Sequence, residues 1–179
     1  LNRRLALQRL ALISAGFALL PACMDDKSKS SILVKNFNIT TEQEELLAEL
    51  SETIIPKTNT PGAKDISAHL FALKMIDDCR SEDDQKKFVN GMKAFEALSE
   101  KELNASFVKA SPEKRISLLQ TLEKSEDKSD LAYFYNSMKR LTIQAYTSSQ
   151  FYLTKVKVYE LVPARYKGCV PVKTENKLV

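Results

Sequence analysis

From residue 41 onward hydrophobic side chains recur at helical spacing, and polar or proline-bearing breaks divide the repeat into segments. Thr41 and Glu44 have capping-box spacing, and Leu46, Leu47, Leu50 and Ile54 share a face, which predicts a helix to about Ile55. Pro56 lacks an N–H and biases Ile55 away from the α region, so the stripe ends there. Pro61-Gly62 predicts a turn, with proline presetting φ and glycine tolerating positive φ. Asp65 is placed to cap a second helix, with Ile66, Leu70, Leu73 and Ile76 inward. Ser81 with Asp84 predicts the start of a third, carrying Phe88, Met92, Phe95 and Leu98. Ser99 with Glu102 repeats the cap before Leu103 and Phe107. Ser111-Pro112-Glu113 opens a helix with Ile116, Leu119 and Leu122 inward.

Lys124 to Asp130 reads as a charged linker. The longest helix is expected from Leu131 to about Tyr146, with Leu131, Phe134, Met138, Leu141 and Ala145 on the core side. After Tyr159 the run LVPARYKGCVPV, with two prolines and a glycine, predicts an extended tail. Glycine occurs four times in the chain and no alternating strand pattern stands out, so the expected fold is all-α. A single compact multi-helix domain over residues 41–179 is predicted, behind a signal peptide and a short tether.

Residues 1–22 contain Arg3, Arg4 and Arg9 and no acid, then an apolar run from Leu10 to Leu20 that is short for a membrane span. This is the pattern of a signal peptide. The pair Arg3-Arg4, followed by Leu5 and Leu7, resembles the twin-arginine type, and an ordinary secretory signal is the alternative. Leu20-Pro21-Ala22-Cys23 resembles a lipobox, which would make Cys23 the acylated first residue of the mature chain; plain cleavage near Ala22 is the alternative. More than one acyl chain gives stable anchoring. Residues 23–40, polar and serine-rich at first, are expected to tether the domain to the periplasmic side of a bacterial membrane, with Ile32 to Val34 docking locally.

The formal charge of +4 belongs largely to those three arginines, so the mature domain has no electrostatic footprint for nucleic acid. Of three cysteines, acylation of Cys23 leaves Cys79 and Cys169, which in an oxidising compartment pair with each other or with a partner chain. Neither belongs to a CxxC, and His69 is the one histidine, which disfavours a metal site. His69 as a general base of a hydrolase is the weaker alternative to a packed histidine. Glu44-Glu45 and Asp77-Asp78 are helix neighbours that point apart, as solvated faces require. No GxGxxG, phosphate loop, CxxCH or GxSxG is present, so no catalytic or cofactor-binding residue is assigned. Tyr146, Phe151 and Tyr152 belong either to the core or to a partner-binding face.

The order of an apolar helix ending in TIIP, a polar loop, PGA, Asp65 and a new helix resembles the gluconate 2-dehydrogenase subunit 3 family. The likeness continues through FVNGMKAFEAL, LLQTLEK, YFYNSMKRLTIQAYTSSQF and YKGCVP, covering most of the mature chain. It implies a non-catalytic small subunit bound to a large flavoprotein dehydrogenase of the glucose-methanol-choline type acting on gluconate, a related sugar or an alcohol. FAD and haem c are then expected in partner subunits, the second in a cytochrome c. The small subunit would stabilise the flavoprotein and assist its export. A free-standing periplasmic lipoprotein acting as a scaffold or binding module is the alternative. The expected partner face comprises Pro56, Pro61, Gly62 and Asp65 in the loop, Tyr146, Phe151 and Tyr152, and Tyr166 and Gly168 in the tail.

Overall fold

The capping and proline signals predict where each helix starts and stops, and the computed structural model, which describes residues 31–124, 129–157 and Cys169, shows which of them operate. Among the described residues the α-helices are α1 (Thr41–Ile54), α2 (Ala68–Cys79), α3 (Glu82–Leu103), α4 (Pro112–Lys124) and α5 (Asp130–Thr147). A 3₁₀ turn, Phe107–Lys109, links α3 to α4, and a π-helical turn, Tyr152–Val156, follows α5. No strand occurs among the described residues, so the all-helical single domain stands as predicted.

The pairing of α3 with α5 is the most extensive in the bundle, and α5 also packs on α2. Phe88, Phe95, Phe107 and Phe134 are fully buried along this seam. Ring centroids lie 5.1 Å apart for Phe88–Phe134, 5.6 Å for Phe95–Phe134 and 5.1 Å for Phe95–Phe107, all tilted. Each such side chain contributes about 1.5 to 3 kcal/mol by leaving water. Gly91 sets the approach: a Cβ there would collide with the Asp130 carbonyl oxygen and lie 2.6 Å from Phe134 Cβ. At the other end of α5, Thr142 donates to Ser51 across 3.2 Å, a buried hydroxyl pair that satisfies two polar groups inside the apolar core.

Several boundaries shift from expectation for local reasons. The first helix is capped by Thr40, whose hydroxyl accepts the Gln43 N–H at 3.3 Å while Gln43 Oε1 accepts the Thr40 N–H at 3.2 Å. The capping box is therefore one residue earlier than Thr41–Glu44, because Gln43 reaches back as well as a glutamate does. Helix α2 starts after Ser67, which takes a left-handed conformation at φ 55°, and Asp65 is not its cap. Ser99 is not a second cap either: its hydroxyl donates to the Phe95 carbonyl at 2.7 Å, and α3 runs through to a left-handed Asn104. That makes α3, with 22 residues, longer than α5, with 18. Ile116 is 46% exposed, whereas Leu118 and Leu119 turn inward. The cap at Ser81 holds, and Ser129, read as part of the linker, caps α5 in the same way, each hydroxyl accepting an N–H of its first turn.

The chain is already docked at Ser31, within the segment expected as tether. Ser31 N–H and hydroxyl both donate to Glu44 at 2.5 Å. The Asp77 carboxylate, with 2% exposure, accepts the N–H groups of Lys35 at 3.0 Å and Asn36 at 2.9 Å, and Asn36 returns a bond to the Asp77 carbonyl. Phe37 then packs on Phe88, and Ile39 enters the core. Burial raises the Asp77 pKa, but these donors and Lys74 outweigh it, and the carboxyl lies below its ordinary value.

Candidate functional site

The polar corner between α1 and α2 is organised by Glu52, in the last turn of α1. One carboxylate oxygen accepts the Lys57 N–H at 2.8 Å and the other the Lys64 N–H at 2.9 Å. A single side chain thus spans both arms of the loop. Ala63 N–H closes the base on the Ile55 carbonyl at 2.9 Å, which returns the chain to the end of α1 just past Pro56. Gly62 is needed for space and not for positive φ: a Cβ there would collide with the Glu52 carboxylate, its Cδ 2.7 Å away. The expected positive φ at Gly62 is absent, because the reversal is spread over the 3₁₀-like turns of residues 63–67 and completed at Ser67.

Asp65 works inside the loop. It accepts the Gly62 N–H at 3.1 Å and pairs with Lys57 at 3.0 Å, and the Lys57 and Gly62 bonds hold its carboxyl below the ordinary value. Lys64 reaches back to Glu49 at 2.5 Å, a bond that raises the lysine pKa. Glu49 also receives Arg115 Nη1 from α4 at 2.5 Å. Burial raises the Glu49 pKa, but Lys64 and Arg115 together bring it below normal. Arg115 donates further to the carbonyls of Phe107, at 2.8 Å, and Val108, and its guanidinium lies 5.5 Å from the Phe107 ring centroid. The corner is therefore linked through Glu49 to α4 by charge-assisted bonds.

Tyr146, near the end of α5, donates its hydroxyl to the Pro61 carbonyl at 3.1 Å. Its ring meets Phe151 and Tyr152 edge-on, with centroids 6.4 and 6.3 Å away. The bond from Tyr146 to Pro61 ties the loop to the three aromatics. Pro56 and Asp65 are exposed, Pro61, Tyr146, Phe151 and Tyr152 are half-buried, and Gly62 is buried. Ile143, 43% exposed, and Val156, 46% exposed, add apolar surface on neighbouring turns. The three rings pack on one another and stay half-buried, outside the fully buried core.

The remaining candidates fall elsewhere. Cys79, the last residue of α2, and Cys169 are exposed and unpaired in this structure. Arg3, Arg4, Cys23, Tyr166 and Gly168 lie outside the described residues. His69 is 8% exposed with its Nδ1 unpartnered, and burial lowers its pKa, Glu44 and Lys64 acting in opposite directions. Asp77, expected on a solvated face, is instead buried against the docked segment that supplies its N–H donors, while Asp78 is exposed, and Lys74 lies 3.8 Å from the first and 3.2 Å from the second. Among the described residues no cluster of His, Cys, Asp or Glu could hold a metal ion, and no helix is long and apolar enough to cross a membrane. Glu52, Glu49 and Arg115 carry the corner without being anticipated; the one available sign was a glutamate a few residues ahead of a helix-ending proline.

The family model described as gluconate 2-dehydrogenase subunit 3 matches residues 41–164, a span that contains all five helices and the corner. No curated protein and no solved structure matches the chain.

Proposed function

The chain belongs to the gluconate 2-dehydrogenase subunit 3 family, and from that membership we propose how its corner face serves the complex. The protein is a non-catalytic small subunit of an FAD-dependent dehydrogenase complex. Its partner is a large flavoprotein of the glucose-methanol-choline type, which carries the FAD, and a cytochrome c subunit bearing haem c passes the electrons on. The flavoprotein docks on Pro56, Pro61, Gly62, Asp65, Tyr146, Phe151 and Tyr152, with Tyr166 and Gly168 of the tail extending the face. Exported by Arg3-Arg4 and anchored through Cys23, the subunit escorts the folded flavoprotein to the periplasmic side and stabilises it there. Cys79 and Cys169 are available to pair with each other or with the partner.

The observation that carries this reading is the bond from Tyr146 to Pro61, which joins a rigid loop to an aromatic surface. A loop already fixed by Glu52 and Asp65 loses little conformational entropy on binding, and half-buried aromatic rings supply contact area. The test is co-purification with the flavoprotein. Pro61→Ala with Gly62→Ala expels the Glu52 carboxylate from its seat, and co-purification falls while helical circular dichroism of the isolated subunit stays near wild type. Loss of helicity in step with binding would make the corner purely architectural, and full retention of binding would move the interface elsewhere.

A further inference from the structure

Away from the corner, a cleft of about 430 Å³ lies where the end of α2 meets the first turn of α3 and the middle of α5. It is lined by Arg80, Asp84, Tyr133, Asn136, Ser137 and Arg140. Neither guanidinium has an ion-pair or hydrogen-bond partner among the described residues. Arg80 offers only its carbonyl, to Gln85, and that bond fixes the backbone from which its side chain projects. Asp84, the one acid in the cleft, is already engaged by the Ser81 hydroxyl at 3.0 Å and lies 3.9 Å from Lys87. Ser137 is 5% exposed, and among the described residues no side-chain hydrogen bond is formed by Ser137, Tyr133 or Asn136.

We propose that this cleft is an oxyanion site for a phosphate group. The lining brings together two arginines from different elements, whose guanidiniums carry forked N–H donors, and three neutral side chains with donor groups, Ser137, Tyr133 and Asn136. A phosphate, with three or four acceptor oxygens set tetrahedrally, engages more of these donors at once than a carboxylate, whose two oxygens lie in one plane. Within the lining two positive charges face the single charge of Asp84, which is already engaged. Free inorganic phosphate and the headgroup of an anionic phospholipid share the chemistry, and the experiment separates them.

Inorganic phosphate is titrated into the full chain by calorimetry, and binding is expected to weaken about tenfold or more in the double variant Arg80→Gln, Arg140→Gln, as loss of charged hydrogen bonds requires. The conservative double variant Arg80→Lys, Arg140→Lys keeps the charge and loses the forks, and is expected to fall between the two. Melting temperature and helical circular dichroism of each variant check that the fold persists. If bound phosphate is displaced by phosphatidylglycerol vesicles and not by phosphatidylcholine vesicles, the occupant is a headgroup; if neither displaces it, the occupant is the free ion. Absence of phosphate binding to the wild type, equal binding by the glutamine variant, or acetate binding as tightly as phosphate each overturns the proposal.

Discussion

The seam between α3 and α5 and the corner from Pro56 to Asp65 are held by opposite kinds of force. The seam is apolar, with four phenylalanines in contact and a glycine letting the helices close, and its stability scales with area removed from water. The corner has a small apolar cluster of its own around Ala63, Ala68 and Ala145, and its loop is set by directed bonds to Glu52, Asp65 and Tyr146. Burial is non-directional and tolerates many sequences, whereas a loop held by carboxylates at fixed N–H groups has one shape. The first region keeps the bundle folded, and the second presents a surface.

The comparison breaks most visibly at the seam. Phe134→Ala removes the ring shared by Phe88 and Phe95, and a loss of about 3 to 5 kcal/mol is expected in denaturant unfolding, with the whole bundle affected. Gly91→Ala drives a Cβ into the Asp130 backbone, which cannot swing aside like a side chain. The expected loss is about 1 to 3 kcal/mol, read as a lower melting temperature, and restoration by no second-site polar change.

At the corner, Glu52→Ala leaves the Lys57 and Lys64 N–H groups without their acceptor. A loss of about 1 to 2 kcal/mol is expected, together with faster amide exchange confined to residues 57–64. If exchange quickened equally along α3 and α5, the two regions would be one cooperative unit and the contrast would fail.

The smallest effect concerns the clasp of Asp77 on residues 35 and 36. Its pKa is lower folded than unfolded, so the clasp is fully stabilising above the ordinary aspartate range and is lost as pH falls through the depressed folded value. The Lys35 and Asn36 amides are expected to lose protection in acid before the α3–α5 seam does, which amide exchange measured against pH reports. Asp77→Asn should show the same local loss at neutral pH and no further acid step at these two amides.

The sequence alone determined the all-helical class, the breaks at Pro56 and Ser111-Pro112, and the inward positions Phe88, Met92, Phe95, Phe134, Met138 and Leu141, because helical periodicity and proline stereochemistry are local. It also held the family likeness, in the order of its segments. Tertiary structure alone decided that Ser99 bonds backward instead of capping, since a hydroxyl buried in a continuous helix finds its own turn before solvent. The role of Gly62 was equally invisible: a glycine serving a turn and a glycine making room for a carboxylate from another segment look alike in one dimension. The meeting of Tyr146 with Pro61 and of Glu49 with Arg115 joins residues far apart in the chain, and only the closure of α5 on α2 and of α4 on α1 brings their polar groups within bonding distance.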